Sequence, residues 1–254
     1  MVKILDFKKV SIIALTLICA SIFCACIYFS GAFQVLVGGV TRALPIYSVE
    51  RTDNKISISF DCAWGTDYTD ELLAQLEKEG VRATFFMVEF WAEKYPDYVQ
   101  KICSAGHEIG THSKTHSYMS KQGVDEIKNE LLSSSAVIEK ITGKKVDLFR
   151  APYGDYDDQL INTAQSLGFY TIQWDVDSLD WKNLSAKEIL SRVAKRVKSG
   201  SIILMHNNGL HTAKAVPQII KSLKERGFEF VPIGELIYRE NYTIDANGRQ
   251  HGAN

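Results

Sequence analysis

Residues 55–65 read Lys-Ile-Ser-Ile-Ser-Phe-Asp-Cys-Ala-Trp-Gly, and the reading of the fold turns on this run. Ile56, Ile58 and Phe60 occupy alternate positions, the period of a β-strand with one face on a core. The alternation stops at Asp61, where a buried strand would open toward solvent. Beyond it, Thr69 starts a helical pattern with Leu72, Leu73 and Leu76 on one side, ending at Gly80. The alternation of strand and helix then continues. Strands are expected over 83–88, 107–110, 146–150, 169–174, 201–205 and 228–232, and helices over 96–105, 124–141, 157–167, 185–198 and 212–226. The helices close at Gly106, Gly143, Gly168, Gly200 and Gly227, as C-terminal glycines do.

Seven β elements separated by helices of crossover length predict an α/β fold with a parallel sheet or barrel. In such folds chemistry gathers beyond the carboxyl ends of the strands. Asp61-Cys62-Ala63-Trp64-Gly65 follows the first strand, and His112-Ser113-Lys114-Thr115-His116 the third. Arg150-Ala151-Pro152-Tyr153-Gly154 follows the fourth, a run from Asp175 to Trp181 the fifth, and His206-Asn207 the sixth. Five strand ends therefore deliver carboxylates, imidazoles, an arginine and aromatics to one rim.

The 254 residues are 46% apolar and 23% charged, with 29 Lys+Arg against 30 Asp+Glu. This excludes a disordered or disulfide-rich miniature chain, and the near-zero net charge gives no electrostatic footprint for nucleic acid. The mean hydropathy of −0.08 hides an uneven distribution. Residues 10–40 contain no charged side chain, and 10–29 are long enough to span a bilayer as a helix. Lys3, Lys8 and Lys9 precede that run, so the expected topology is a single-pass signal anchor with a cytoplasmic N-terminus and an extracytoplasmic domain. A cleaved signal peptide, a lipoprotein acylated at Cys19, Cys24 or Cys26, and a buried helix are the alternatives. The expected organisation is an anchor over 1–31, a linker over 32–51, a catalytic domain over 52–239 and a polar tail over 240–254.

His112 and His116 at i and i+4 would face one way on a helical turn, and neutral imidazoles suit Zn²⁺ and other transition metals. Asp61 reads as a turn cap or as a base beside an activated water. Asp177 and Asp180 admit the same choice between cap and catalytic carboxylate. His206, after the apolar run 202–205, reads as a core histidine or as an acid.

The five segments, in this order, resemble the polysaccharide deacetylases, the NodB-homology domain of carbohydrate esterase family 4, over residues 55–236. The resemblance implies a distorted (β/α)7-type barrel and a metal-dependent hydrolase that removes acetyl groups from N-acetylated sugars. It makes Asp61 the catalytic base, Arg150 the arginine that holds it, and His112 and His116 metal ligands. Asp180 becomes the aspartate that tethers the acid His206, with Pro152, Tyr153, Trp181 and Leu204 shaping the substrate groove. It further implies that the backbone N–H of Tyr153 helps stabilise the oxyanion. The expected cofactor is a divalent ion, Zn²⁺ foremost, and the expected partner an N-acetylated cell-wall glycan such as peptidoglycan.

One position departs from the family pattern. Where the family has a second aspartate that completes the metal triad, this chain has Cys62. Three outcomes stay open: the thiolate ligates, two histidines and water hold the ion weakly, or the metal is lost. The Asp-x-Ala-Trp-Gly run also resembles the membrane-anchored, sporulation-associated members of the family. The alternative function is therefore a catalytically weak or silent glycan-binding envelope or sporulation protein on the same barrel. Retention of both a base and an acid favours the enzyme.

Overall fold

The computed structural model describes residues 16–23 and 42–252. The chain divides into two compact units, 1–42 and 43–254. In the first, residues 16–23 are helical. No helix among the described residues is long and apolar enough to cross a membrane. The span expected over 10–29 lies outside the described residues except for 16–23.

The second unit carries the barrel. In chain order its main elements are β1 (Ser48–Val49), β2 (Lys55–Cys62), α1 (Thr69–Lys78), β3 (Thr84–Met87), α2 (Glu89–Lys94), α3 (Pro96–Ser104) and β4 (Glu108–Thr111). Then come α4 (Val124–Thr142), β5 (Leu148–Phe149), α5 (Asp158–Ser166), β6 (Tyr170–Thr171), β7 (Val176–Asp177), α6 (Ala186–Ala194) and β8 (Ile202–His206). The chain finishes with α7 (Thr212–Glu225), β9 (Glu229–Phe230), α8 (Ile233–Leu236), β10 (Tyr242–Ile244) and β11 (Arg249–Gly252). The main sheet is parallel and runs β6-β5-β4-β3-β2-β8-β7, with β9 pairing the first residues of β2. This curled sheet fits the expected barrel.

β2 is its centre, and both of its faces are buried. Ile56, Ile58, Phe60 and Cys62 point outward into the core shared with the helices, among them Leu72, Leu76, Trp91 and Ile219. Ser57, Ser59 and Asp61 point the other way and are buried too. The two serines satisfy their hydroxyls on neighbouring carbonyls, Ser57 on Val231 at 2.6 Å and Ser59 on Ile203 at 2.8 Å. Small polar side chains with local acceptors let a strand fill a narrow barrel without stranding a polar group. A second core, with Phe86, Leu148, Ile172 and Ile202, fills the remainder of the interior.

Several features differ from the sequence expectation, among them the short helices α2 and α8 and the separate strand β7. The strands expected over 146–150 and 169–174 shrink to β5 and β6; Ile172, just beyond β6, still donates to the Phe149 carbonyl of β5 at 2.8 Å and also bridges Ile46. Ile46 donates to the Thr171 carbonyl, Ser48 bridges Ser201, and Val49 donates to the Gly200 carbonyl. Residues expected to be linker thus join edge strand β6 to the residues that lead into β8, and Ile46 and Val49 are buried. The expected polar tail is likewise ordered. β10 and β11 form a hairpin whose β11 pairs in parallel with β1. Gln250, fully buried in it, donates to the Tyr238 carbonyl and accepts from its N–H, standing in for a strand backbone.

Candidate active site

The register of the sheet assembles the site. Asp61 lies opposite His206 in the β2–β8 ladder, and His112 follows β4. Arg150 follows β5, and Asp180 stands in a short 3-10 turn after β7. Asp61, His112, His116, Tyr153, Trp181, Leu204 and His206 line one pocket of about 760 Å³. Arg150 and Asp180 stand behind it, fully buried. Pro152 is buried but does not line the pocket.

Two ion pairs organise the reactive groups. Arg150 Nη1 donates to Asp61 Oδ1 at 2.8 Å, and Nη2 donates to the Gln173 carbonyl. The guanidinium lies 4.1 Å over the Phe86 ring and 5.6 Å from that of Trp174. Burial opposes the charge on Asp61, but the Arg150 cation, with smaller help from His112 and His206, outweighs it and holds the carboxyl below its ordinary value. Across the pocket, His206 Nδ1 pairs with Asp180 Oδ1 at 2.7 Å. Asp180 Oδ2 accepts from the His206 N–H and from the Thr212 hydroxyl. Burial opposes protonation of His206, yet the Asp180 hydrogen bond and the charges of Asp180, Asp61 and Asp177 prevail and raise its pKa. One group is held ionised as a base and its neighbour protonated as an acid, the separation that divides catalytic labour.

The histidine segment is not the helical turn that the i, i+4 spacing predicts. It is a loop in which Ser113 (φ 74°) and His116 (φ 55°) adopt left-handed backbone. The anchor of this loop is Glu130 on α4, a helix whose polar residues read in the sequence as a solvated face. Its buried carboxylate accepts from the N–H groups of Lys114 and Thr115, both at 2.8 Å, and from the Thr115 hydroxyl at 2.6 Å. Three donors crowded into two consecutive residues need such an acceptor, the signal by which Glu130 could have been found.

The donor set has two parts. His112 Nδ1 is 2.7 Å from the Arg150 carbonyl, so that nitrogen carries the proton and Nε2 presents a lone pair, 3.5 Å from Asp61 Oδ2. Burial keeps His112 neutral and holds His116 at about 4. His116 Nδ1 is buried without a hydrogen-bond partner. Two neutral imidazoles, one with an orphaned nitrogen and one with a lone pair facing a carboxylate, fit a pair of ligands to a divalent ion. Cys62 does not join them. It sits on the outward face of β2 in the hydrophobic core, and burial pushes its thiol well up. Strand alternation turns it from Asp61, so thiolate ligation is corrected to core packing. Among the described residues no three His, Cys, Asp or Glu side chains are grouped as a metal cage.

Three further residues of the strand ends join the lining. Asp177 lines the pocket, as do Asn207 and Trp174, the last of which alternates like core. Trp64 is exposed on the rim, its ring 4.7 Å from that of His116. His107 faces a separate, smaller pocket.

Comparison with known proteins agrees with this architecture. The family model described as polysaccharide deacetylase matches residues 48–172. The peptidoglycan-N-acetylglucosamine deacetylase of Bacillus cereus is 34% identical over 196 residues, covering 75% of this chain and 92% of that protein. The corresponding Listeria monocytogenes deacetylase, PgdA, is 32% identical over 201 residues; 79% of this chain matches 42% of its length. Among solved structures, a carbohydrate esterase family 4 pseudoenzyme from Bacillus anthracis is similar with a TM-score of 0.74 and 32% identity, over 82% of this chain and 72% of that one. A mutant of that pseudoenzyme, described as having restored enzymatic activity, is 35% identical with the same TM-score, over 76% of this chain and 70% of that one.

Proposed function

The chain belongs to the polysaccharide deacetylase family, hydrolases of carbon–nitrogen bonds other than peptide bonds, and from that premise we propose that it removes acetyl groups from N-acetylated amino sugars of a cell-wall glycan, peptidoglycan foremost. The observation that carries the proposal is the pairing of Arg150–Asp61 and Asp180–His206 on adjacent strands around one pocket. Asp61 takes a proton from the attacking water, its Oδ1 fixed by Arg150. His206, protonated and oriented through Nδ1 by Asp180, returns a proton to the departing amine, since an amide nitrogen leaves poorly unless protonated. The Tyr153 N–H serves the developing oxyanion, and Leu204 and Trp181 enclose the acetyl group.

His112 and His116 would hold a divalent ion, with Zn²⁺ the best match for imidazole, and such an ion supplies Lewis-acid polarisation and a more acidic water. A silent scaffold would have no use for two oppositely polarised pairs, so the enzymatic reading is preferred. The charge-free run over 10–29, preceded by Lys3, Lys8 and Lys9, supports anchoring of the domain at the outer face of a membrane as part of the same proposal.

The test is acetate release from chitooligosaccharides and from peptidoglycan by the purified protein. Release that is abolished in both Asp61→Asn and His206→Ala supports the assignment. Release unchanged in either variant removes that residue from its role.

A further inference from the structure

Asp177 is a pocket residue that the proposed chemistry does not use. It ends β7, where it pairs in register with Leu204 of β8, on the same wall as His206. Its Oδ1 accepts from the Leu179 N–H at 2.8 Å, which fixes the carboxylate. Among the described residues no lysine or arginine forms an ion pair with it. Arg192 approaches from α6 but donates to the Asp177 backbone carbonyl, at 2.7 Å, and Lys182 lies over the Trp181 ring outside the pocket lining. The remaining carboxylates of the site are compensated, Asp61 by Arg150 and Asp180 by His206. Asp177 shares the charge of His206 with Asp180 and so leaves these side chains with a net negative charge facing whatever flanks the scissile amide; among the described residues no lysine or arginine lines the pocket to offset it.

The substrate chemistry gives that charge a meaning. In N-acetylglucosamine the carbon next to the acetamido group carries a hydroxyl. In N-acetylmuramic acid the same carbon carries a lactyl ether, which ends in a carboxylate unless amidated. A fixed carboxylate accepts a hydrogen bond from the first and repels the second. We infer that Asp177 is a specificity-determining residue that selects amino sugars with a free hydroxyl or a neutral substituent beside the acetamido group, and rejects a free lactyl carboxylate. The inference rests on the deacetylase reading for the identity of the ligand, but its test needs no turnover.

Two probes of nearly equal size isolate charge from bulk: the muramyl disaccharide with a free lactyl carboxylate, and the same disaccharide with a lactyl amide. Calorimetric titration into the full-length protein should show the amide binding on the order of tenfold tighter, the scale of one like-charge contact in a partly hydrated site. Asp177→Asn keeps shape and hydrogen-bonding capacity and should shrink the difference to under about threefold, with its melting temperature measured to confirm folding. Both proteins are titrated after chelator treatment, so that no bound divalent ion attracts the free carboxylate. An equal preference in both proteins overturns the inference, as does no preference, or no binding of either probe, in the unaltered protein. Acetate release from N-acetylglucosamine oligomers is scored separately, so failure of the deacetylase reading is distinguishable from failure of the selectivity.

Discussion

Replacement of Asp61 by Asn tests the centre of the site through stability as well as activity. The carboxylate is 6% exposed and its partner Arg150 0% exposed, at 2.8 Å. Asn keeps the volume and one acceptor for Arg150 Nη1, but it leaves a guanidinium charge in the interior without its counter-charge. Breaking a buried pair in this way costs about 3–5 kcal/mol, and the surviving hydrogen bond places Asp61→Asn near the low end, about 3 kcal/mol. For a domain of this size that is a fall in Tm of roughly 6–12 °C. Urea unfolding at pH 7 reads the same quantity. Adding Arg150→Met removes the stranded cation, so the double variant should lose less than the sum of the single ones. The pH dependence has a definite sign. The Asp61 pKa is lowered by folding, so its contribution is present above the unfolded carboxylate value near ~4 and is lost as pH falls through the folded value. The gap between Asp61→Asn and the unaltered protein should therefore persist from neutral pH down to about pH 4 and narrow only below it. Acetate release should drop by at least about 10²-fold with loss of the base. Stability of Asp61→Asn within about 0.5 kcal/mol of the parent would refute the buried-pair argument.

Asp180→Asn removes the anion that holds His206 protonated, leaving burial to lower its pKa. The alkaline limb of kcat/KM should move acidward by at least about one pH unit, and an unmoved limb would exclude His206 as the acid. Glu130→Ala releases the loop bearing His116. Zinc affinity measured by chelator competition should fall by about 10–100-fold, and recover in part in Glu130→Gln, whose amide oxygen still accepts from the loop. Cys62→Asp places a carboxylate in the hydrophobic core, not beside the imidazoles. The expected outcome is a loss of several kcal/mol in chemical unfolding with no gain in retained metal, and a gain would show that the strand end can turn inward.

Much of the fold was legible because β2 and its successors pair apolar periodicity with a glycine after each helix expected from the sequence. The strand-end rule then places Asp61, His112, Arg150 and His206 at one rim. What escaped was set by tertiary context. The histidine loop has helical spacing but left-handed backbone at Ser113 and His116, a choice made by the distant Glu130 carboxylate. Asp177 and Asp180 look alike in sequence; only the turn after β7 sends one behind His206 and leaves the other on the wall. Gln250 is polar and buried, which hid the terminal hairpin, although Asn247-Gly248 carried a turn signal.

The ladder joining Ser48 to Arg249 and Val49 to Gln250 has a kinetic consequence. The segment bearing Ser48 and Val49 is far in sequence from the strand β11 with which it pairs. The entropy of closing so long a loop is paid before the pairing rewards it, so this ladder forms late in folding. The same segment holds the Thr171 and Gly200 carbonyls through its own N–H groups, so β11 braces it from the other side. Removal of β11 would therefore be felt as a loosened entry into the barrel and not merely as a missing hairpin.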